Sequence, residues 1–408
     1  MLKLSRIAFK NIFRNKRRTL ITFSVIIFGS AALLVAGGFI RYMFDGLAAM
    51  TIRGGLGHLQ LVHADQLHQE EQKPLQYGLV DADKIARVIS GVEGVVGSTA
   101  RVDFNGLLSN GDKSVIFLGT GVEPEKEKAL GYETELLSGA SLTSEGGRFQ
   151  VMLATGLARS LKSNVGDTLT LMSTTTEGAL NAIDVAVVGI FSTGITEYDE
   201  RAIRVPLPVA QKLLDTEKVS KLVVGLAQTS DTDRLHDLLM SRLSSAGYPL
   251  EIRRWYEMAT FYQAVVRMFG AIFRILGTII FVLVVLSSSN TMLMAVFERV
   301  REIGTLMAFG TTRLKILSIF VIEGTFMGIL GGVLGSVVGF FTIKAMNRAH
   351  LVLPTPPGNT RPFLITIPLV PGIFVGVFLL MIATMVVASL LPAWRASRLK
   401  IVDALNHI

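Results

Sequence analysis

His58, His63 and His68 recur every five residues with Asp65 among them, and imidazoles beside a carboxylate are the donor set of zinc and its neighbours. The spacing argues against a metal. Side chains share a face every second residue on a strand and every third or fourth on a helix, so a period of five gathers three rings on neither. Surface and loop histidines are the better reading. Elsewhere the chain has no His-Glu-x-x-His and no Gly-x-Ser-x-Gly, and it contains no cysteine, which removes thiol chemistry, thiolate metal sites and disulfides. No Gly-x-x-x-x-Gly-Lys-Ser/Thr loop offers a cradle for nucleotide phosphates, so any nucleotide that powers this chain is expected on another subunit. Neither a catalytic nor a cofactor or metal site is predicted.

What remains is Glu323, the one charge in the run 316–343. An acid inside a membrane-length run is a functional residue by default. A proton relay needs several such groups, and Glu323 stands about two turns from one end of its run, within reach of interfacial water or of the charged segment before it. A structural or coupling role follows. Asn290 adds a second intramembrane polar group, and Gly324, Gly328, Gly331, Gly332, Gly335 and Gly339 form overlapping Gly-x-x-x-Gly pairs that let another helix approach closely. That helix belongs either to the same chain or to a second copy.

Residues 275–297 carry no charge over 23 positions, roughly 34 Å of helix and enough for a hydrocarbon core of about 30 Å. The run ends abruptly in charge. Glu298 and Glu302 bracket Arg299 and Arg301, Ile303, Leu306 and Met307 recur at helical spacing as an apolar face, and Gly304 and Gly310 permit close approach or a bend, with Phe309 beside the latter. A merely solvated loop has no need of that face, so residues 298–315 are predicted to form a helix that touches another protein.

The elements that must position these residues follow from composition. Half of the 408 residues are hydrophobic and 18% are charged, and the mean hydropathy is positive, as in an integral membrane protein. Spans are predicted at 19–41, 271–297, 316–343 and 370–392, the last beginning near Gly372 because Pro368 and Pro371 precede it. The 22 uncharged residues 19–40 exceed a signal-peptide core of about 7 to 15, and no small-x-small exit follows, so the first span reads as a retained anchor. Basic residues set the orientation. Lys3, Arg6, Lys10 and Arg14 before the first span, Arg313 and Lys315 before the third, and Arg395 and Arg398 after the fourth place 1–18, 298–315 and 393–408 in the cytoplasm. The large block 42–270 and the loop 344–369 then lie on the other side. Leu4, Ile7, Ala8 and Ile12 make residues 1–18 an amphipathic helix along the inner leaflet. The net charge of +8 is explained by such contacts with membrane lipids, and nucleic acid is not needed.

Residues 42–270 alternate strand and helix signals, which gives an α/β (α+β) domain between helices 1 and 2. Strands are predicted at 58–62, 95–108, 114–119, 149–154, 168–172, 183–191, 221–226 and 250–253, and helices at 81–89, 156–161 and 231–243. Asn110-Gly111 is a hairpin turn. Both ends of the block read strand, helix, strand, so a split subdomain over about 55–121 and 216–255 is predicted to carry a β-rich insertion at about 122–215. Trp255, Tyr256, Phe261 and Tyr262 begin an amphipathic stalk, 255–270, continuous with the second span and with aromatic rings at the headgroups.

Several motifs carry a resemblance. Asn11-Ile-Phe-Arg-Asn-Lys-Arg-Arg-Thr19, the Glu-Arg-Val-Arg-Glu-Ile-Gly core at 298–304, Glu323 with its Gly-rich run, and Pro392-Ala-Trp-Arg-Ala-Ser-Arg-Leu399 with Asp403-Ala-Leu405 resemble permeases of the MacB/FtsX-like ABC transporter superfamily. Gly57-His-Leu-Gln-Leu61, Gly166-Asp-Thr-Leu169 and Gly189-Ile-Phe-Ser-Thr-Gly194 are similar to its LolC/LolE lipoprotein-releasing type. Ile401 stands where the family often has Pro. The resemblance implies a bacterial inner-membrane permease with both termini cytoplasmic and the large domain periplasmic. Its implied partners are two ABC ATPase subunits holding ATP and Mg, a second permease copy or paralogue, lipoprotein or lipid cargo, and a periplasmic carrier or adaptor. ATPase closure beneath 298–310 is implied to move the outer domain through the stalk. A MacB-like exporter is the alternative, and a sensor that moves no cargo a third.

Overall fold

A computed structural model describes residues 16–67, 75–132, 134–144, 149–194, 196–353, 363–399 and 404. The amphipathic helix expected over 1–18 lies outside them up to residue 15, as do His68 and most of the tail. In chain order the first half contains α1 (Lys16–Thr51), β1 (Leu59–His63), α2 (Ala82–Ser90), β2 (Val95–Ser109), β3 (Ser114–Val122), α3 (Pro124–Ala129), β4 (Glu135–Gly139), β5 (Gln150–Ala154), α4 (Thr155–Leu161), β6 (Thr168–Thr174) and β7 (Leu180–Ser192). There follow α5 (Thr196–Asp199), β8 (Ala202–Pro206), α6 (Leu207–Leu214), β9 (Lys221–Leu226), α7 (Thr232–Ser245), β10 (Leu250–Arg254), α8 (Trp255–Met258), α9 (Thr260–Glu298), α10 (Val300–Ala308), α11 (Arg313–Arg348) and α12 (Pro371–Ser397). They divide into two compact units, one of residues 1–45, 265–353 and 364–408, the other of residues 46–264 and 354–363.

Among the described residues four helices, α1, α9, α11 and α12, are long and apolar enough to cross a membrane. Helix α1 continues past the predicted span to Thr51, and a turn at Ile52–Leu56 ends it, with Gly55 at φ 135°, a conformation that glycine alone adopts without strain. In the first unit α11 is packed on two sides. A Cβ at Gly324 would lie 2.8 Å from the Ser389 Cβ, and one at Gly328 would lie 2.9 Å from the Ile382 backbone, both on α12. Gly331, Gly335 and Gly339 lie against Ile26, Ser30 and Leu34 of α1, while Gly332 faces Phe378. The glycine rows thus lie against helices of the same chain, the intramolecular one of the two contacts the sequence leaves open. Met292, Met327, Met381 and Met385 fill the space among the helices with Ile26, Leu33 and Val284, where unbranched thioethers adapt to an irregular gap. Thr22 donates to Thr291 across α1 and α9 at 2.9 Å, and Ser289 to the Ala388 carbonyl at 2.9 Å. At the end of α11 the Asn347 amide brackets the Ile367 backbone, accepting at 2.8 Å and donating at 2.9 Å, which pins the segment before α12.

The second unit is α/β. Among the described residues its ten strands form one sheet in the order β10-β1-β9-β2-β3-β8-β5-β7-β4, with β6 pairing β2 and β7. The two ends of the block meet: β1 lies antiparallel between β9 and β10. Residues 122–215 supply β4 to β8, as the split predicts, but they do not fold apart. Strand β3 pairs in parallel with β8, and β2, 15 residues long, reaches β6 as well. One apolar core, running from Leu59 and Leu239 to Leu171 and Val185, follows that continuous sheet. Between β2 and β3 the Asn110 side chain accepts from the amides of Asp112 and Lys113, and Gly111 takes φ 95°, the chemistry that a tight hairpin requires.

Candidate functional site

Helix α9 runs unbroken through 39 residues to Glu298. Arg299, at φ −117° and ψ 16°, interrupts it, and α10 restarts at Val300. Gly310, at φ 83°, ends α10, with the Gly310 amide on the Met307 carbonyl and the Thr311 amide on that of Leu306, each at 3.0 Å. The break shifts the phase of every residue after it. Ile303 is 4% exposed and joins Val296, Ile316, Phe320, Ala393 and Ala396 in an apolar cluster, with Met307 packed on its edge. Gly304 is buried beside it. Glu298, Arg301, Glu302, Thr305, Leu306 and Phe309 are exposed, Phe309 to 86%. The apolar face read from the sequence is thus divided: Ile303 and Met307 hold α10 to α11 and α12, and Leu306 with Phe309 is left outward.

Arg299 parts company with the neighbouring charges of α10, which are exposed. It turns inward, Nη1 lying 3.6 Å from Glu323 Oε2, with the two side chains 10% and 7% exposed. Glu323 therefore meets the charged segment, as its place near the end of the run predicts. A buried pair of this kind fixes geometry more than it adds stability, because desolvation offsets most of the attraction. Asn290 is exposed on α9, in a stripe with Leu283, Leu286, Met294 and Phe297. The platform beneath α10, made by Ile316, Phe320, Ala393 and Ala396, is absent from the sequence reading. Its signal is the pair of small residues three apart in Pro392-Ala-Trp-Arg-Ala.

The stalk needs correction. Ala259, at φ −83° and ψ 73°, separates α8 from α9, so the continuous helix begins at Thr260 and not at Trp255. Trp255 is 6% exposed and packs with Ala48, Ile52, Tyr132 and Val223, flanked by Tyr256 and Tyr262. The indole meets Tyr262 edge-on at 4.8 Å. Tyr256 donates to Asp233 at 2.5 Å, and burial together with that bond pushes its phenol up to about 12. These rings are anchors within the second unit rather than a headgroup belt, and only Phe261, 68% exposed, keeps an outward position. His58 also has a structural role, since its Nδ1 accepts from the Leu226 amide at 3.1 Å and its Nε2 meets the Thr229 hydroxyl at 3.2 Å.

Four helices long and apolar enough to cross a membrane, an α/β domain between the first two in the chain and a charged helix after the second are the pattern of a polytopic membrane subunit. The chain belongs to the family of the MacB-like periplasmic core domain, matched over residues 19–241, and the FtsX-like permease C-terminal family matches residues 274–401. It is an ABC transporter permease of the MacB/LolC type. The macrolide export ATP-binding/permease protein MacB of Sodalis glossinidius is 26% identical over 98% of this chain and 60% of its own length. LolC, the lipoprotein-releasing system transmembrane protein of Neisseria meningitidis serogroup B, is 26% identical over 64% of each chain. YvrN of Bacillus subtilis, an uncharacterized ABC transporter permease, is 24% identical over the whole of both. The chain thus spans less than two thirds of the length of this MacB and of this LolC.

Proposed function

We propose that this chain couples ATP hydrolysis on a separate ATPase subunit to motion of its periplasmic domain, and that the motion extracts lipoproteins or lipids from the outer leaflet of the bacterial inner membrane. The observation that carries the reading is the two-sidedness of α10, packed through Ile303 and Met307 and open through Leu306 and Phe309. A push on the open face is delivered to α9, which is unbroken over 39 residues. A helix this long transmits tilt or rotation without a hinge to absorb it. Two ATPases and a second permease complete the assembly. The second permease lies along the Asn290 stripe of α9, where an amide facing lipid alone is unfavourable.

The same geometry serves the export reading, favoured by the likeness to a macrolide exporter over nearly the full chain. Cargo separates the two. Purified with its bound subunits and placed in proteoliposomes holding a triacylated lipoprotein, the complex is expected to release that lipoprotein to a soluble acceptor when Mg-ATP is added, and not with a non-hydrolysable analogue. Retention of the lipoprotein, with ATP-driven movement of a macrolide once an adaptor is supplied, would decide for export.

A further inference from the structure

In the second unit Arg101 of β2 and Arg204 of β8 converge on one carboxylate, Glu127 of α3. Arg101 takes both oxygens, Nε to Oε1 and Nη2 to Oε2, each at 2.7 Å, and its Nη1 donates to the Gly55 carbonyl. Arg204 is left with less. Its Nη1 lies 4.0 Å from Glu127 Oε2 and donates to the Tyr132 carbonyl at 3.4 Å, and its guanidinium sits 5.8 Å over the Phe191 ring. Two guanidinium groups, one on a residue 3% exposed and the other on a side chain 12% exposed, thus share one carboxylate among the described residues. A cation kept from water without its own counter-charge is unfavourable. Burial first and the facing Arg101 second pull the Arg204 pKa below its ordinary value.

Arg204 also lines a cavity of about 270 Å³. Val122, Leu142 and Met152 give it an apolar wall, and Lys128 adds a second cation to its lining. The Glu125 carboxylate, on the same lining, is taken up by the Ser144 amide at 3.0 Å and by the Ser144 hydroxyl. Glu127, Thr134 and Ser141 also line it, so charged and hydroxyl groups face an apolar wall as in a site for an amphiphile, and this volume suits a small molecule rather than a whole diacyl lipid.

We propose that this cavity binds a small amphiphilic anion, a phosphate or carboxylate head on a short apolar tail. The head pairs with Arg204, where a planar fork matches two oxygens of either group. The tail lies against Val122, Leu142 and Met152. An occupied site gives Arg204 its own counter-charge and leaves Glu127 wholly to Arg101, which holds the Gly55 turn at the end of α1. Such a site is independent of what the transporter carries.

The test uses the full chain in phosphatidylcholine nanodiscs, titrated calorimetrically with hexyl phosphate, inorganic phosphate and hexanol. Hexyl phosphate is expected to bind at one site and more tightly than either control. Arg204→Met should weaken it about tenfold or more, equivalent to about 1.4 kcal/mol. Leu142→Trp, which fills the cavity and keeps both arginines, should weaken hexyl phosphate and spare inorganic phosphate, and it serves should Arg204→Met not fold. Phosphatidic acid in the nanodisc separates the sources: competition assigns the head to lipid and no competition to a soluble anion, and either result supports the site. Hexyl phosphate that binds no better than hexanol, or equally well to both variants, overturns it.

Discussion

Replacing Arg299 by methionine is expected to lower the stability of the chain by about 3–5 kcal/mol, because Glu323 keeps its burial and loses its cation. Glu323→Met should also lower stability, because it removes the buried acid that the Arg299 guanidinium faces. The pair should not be additive. Arg299→Met with Glu323→Met removes both charges at once, and stability is expected to return to within about 1 kcal/mol of the natural chain. Unfolding in mixed micelles, followed by helical signal against denaturing detergent, measures all four corners of the cycle. Single losses that simply sum would show that the two side chains do not act on one another. The double variant also separates holding α10 in place from transmitting force through the pair, since a refolded chain that no longer releases cargo assigns the charges to transmission.

The two faces of α10 should respond in opposite ways. Ile303→Ala is expected to cost about 2–5 kcal/mol of stability, since it empties a site that is 4% exposed and enclosed by Val296, Ile316, Phe320 and Ala396. Phe309→Ala should stay within about 0.5 kcal/mol, because its ring is 86% exposed. It should nonetheless weaken the ATPase subunit by about 2 kcal/mol, roughly 30-fold in affinity, as an aromatic at the centre of an interface does. Melting curves and a titration of the ATPase into nanodisc-held permease read the two effects separately. A Phe309→Ala chain that melts early, or binds the ATPase unchanged, would move the contact elsewhere.

Most spans and strands are legible in the sequence because burial imposes a period. The strand expected over 221–226 is found at Lys221–Leu226, and α12 begins at Pro371, one residue before the expected start near Gly372. Strand β4 is invisible there because it buries almost nothing: four of its five residues are exposed, so no alternation is written into them. Strand β8 and helix α6 are absent from the sequence reading, although Pro208 stands in the first turn of α6, where proline is well placed. The single sheet is beyond reach for another reason. The parallel pairing of β3 with β8 joins residues far apart in the chain, and no local pattern announces it.

At the site, the residue types are readable and their directions are not. Counting helical phase from Glu298 carries an error past the break at Arg299, so the sequence names the charged segment that Glu323 could reach but not Arg299 as the residue that meets it. Trp255 is a similar case. An aromatic near a span reads as a headgroup anchor, but four residues of α8 and the kink at Ala259 turn it onto Ala48 and Ile52. Small residues mislead least, since Gly324, Gly328, Gly331, Gly332, Gly335 and Gly339 of α11 each mark a real approach of another helix.

The chain contains no cysteine, so Thr305→Cys, on the exposed side of α10, is a unique thiol at the surface where the ATPase is proposed to press. Its reaction with a membrane-impermeant maleimide is the most direct measurement of that contact. In the isolated permease the thiol should react fast. With the ATPase subunit bound it should be strongly protected, and protection should change again between the ATP-bound and ADP-bound states. Equal rates with and without the ATPase, in every nucleotide state, would contradict a lever driven through α10.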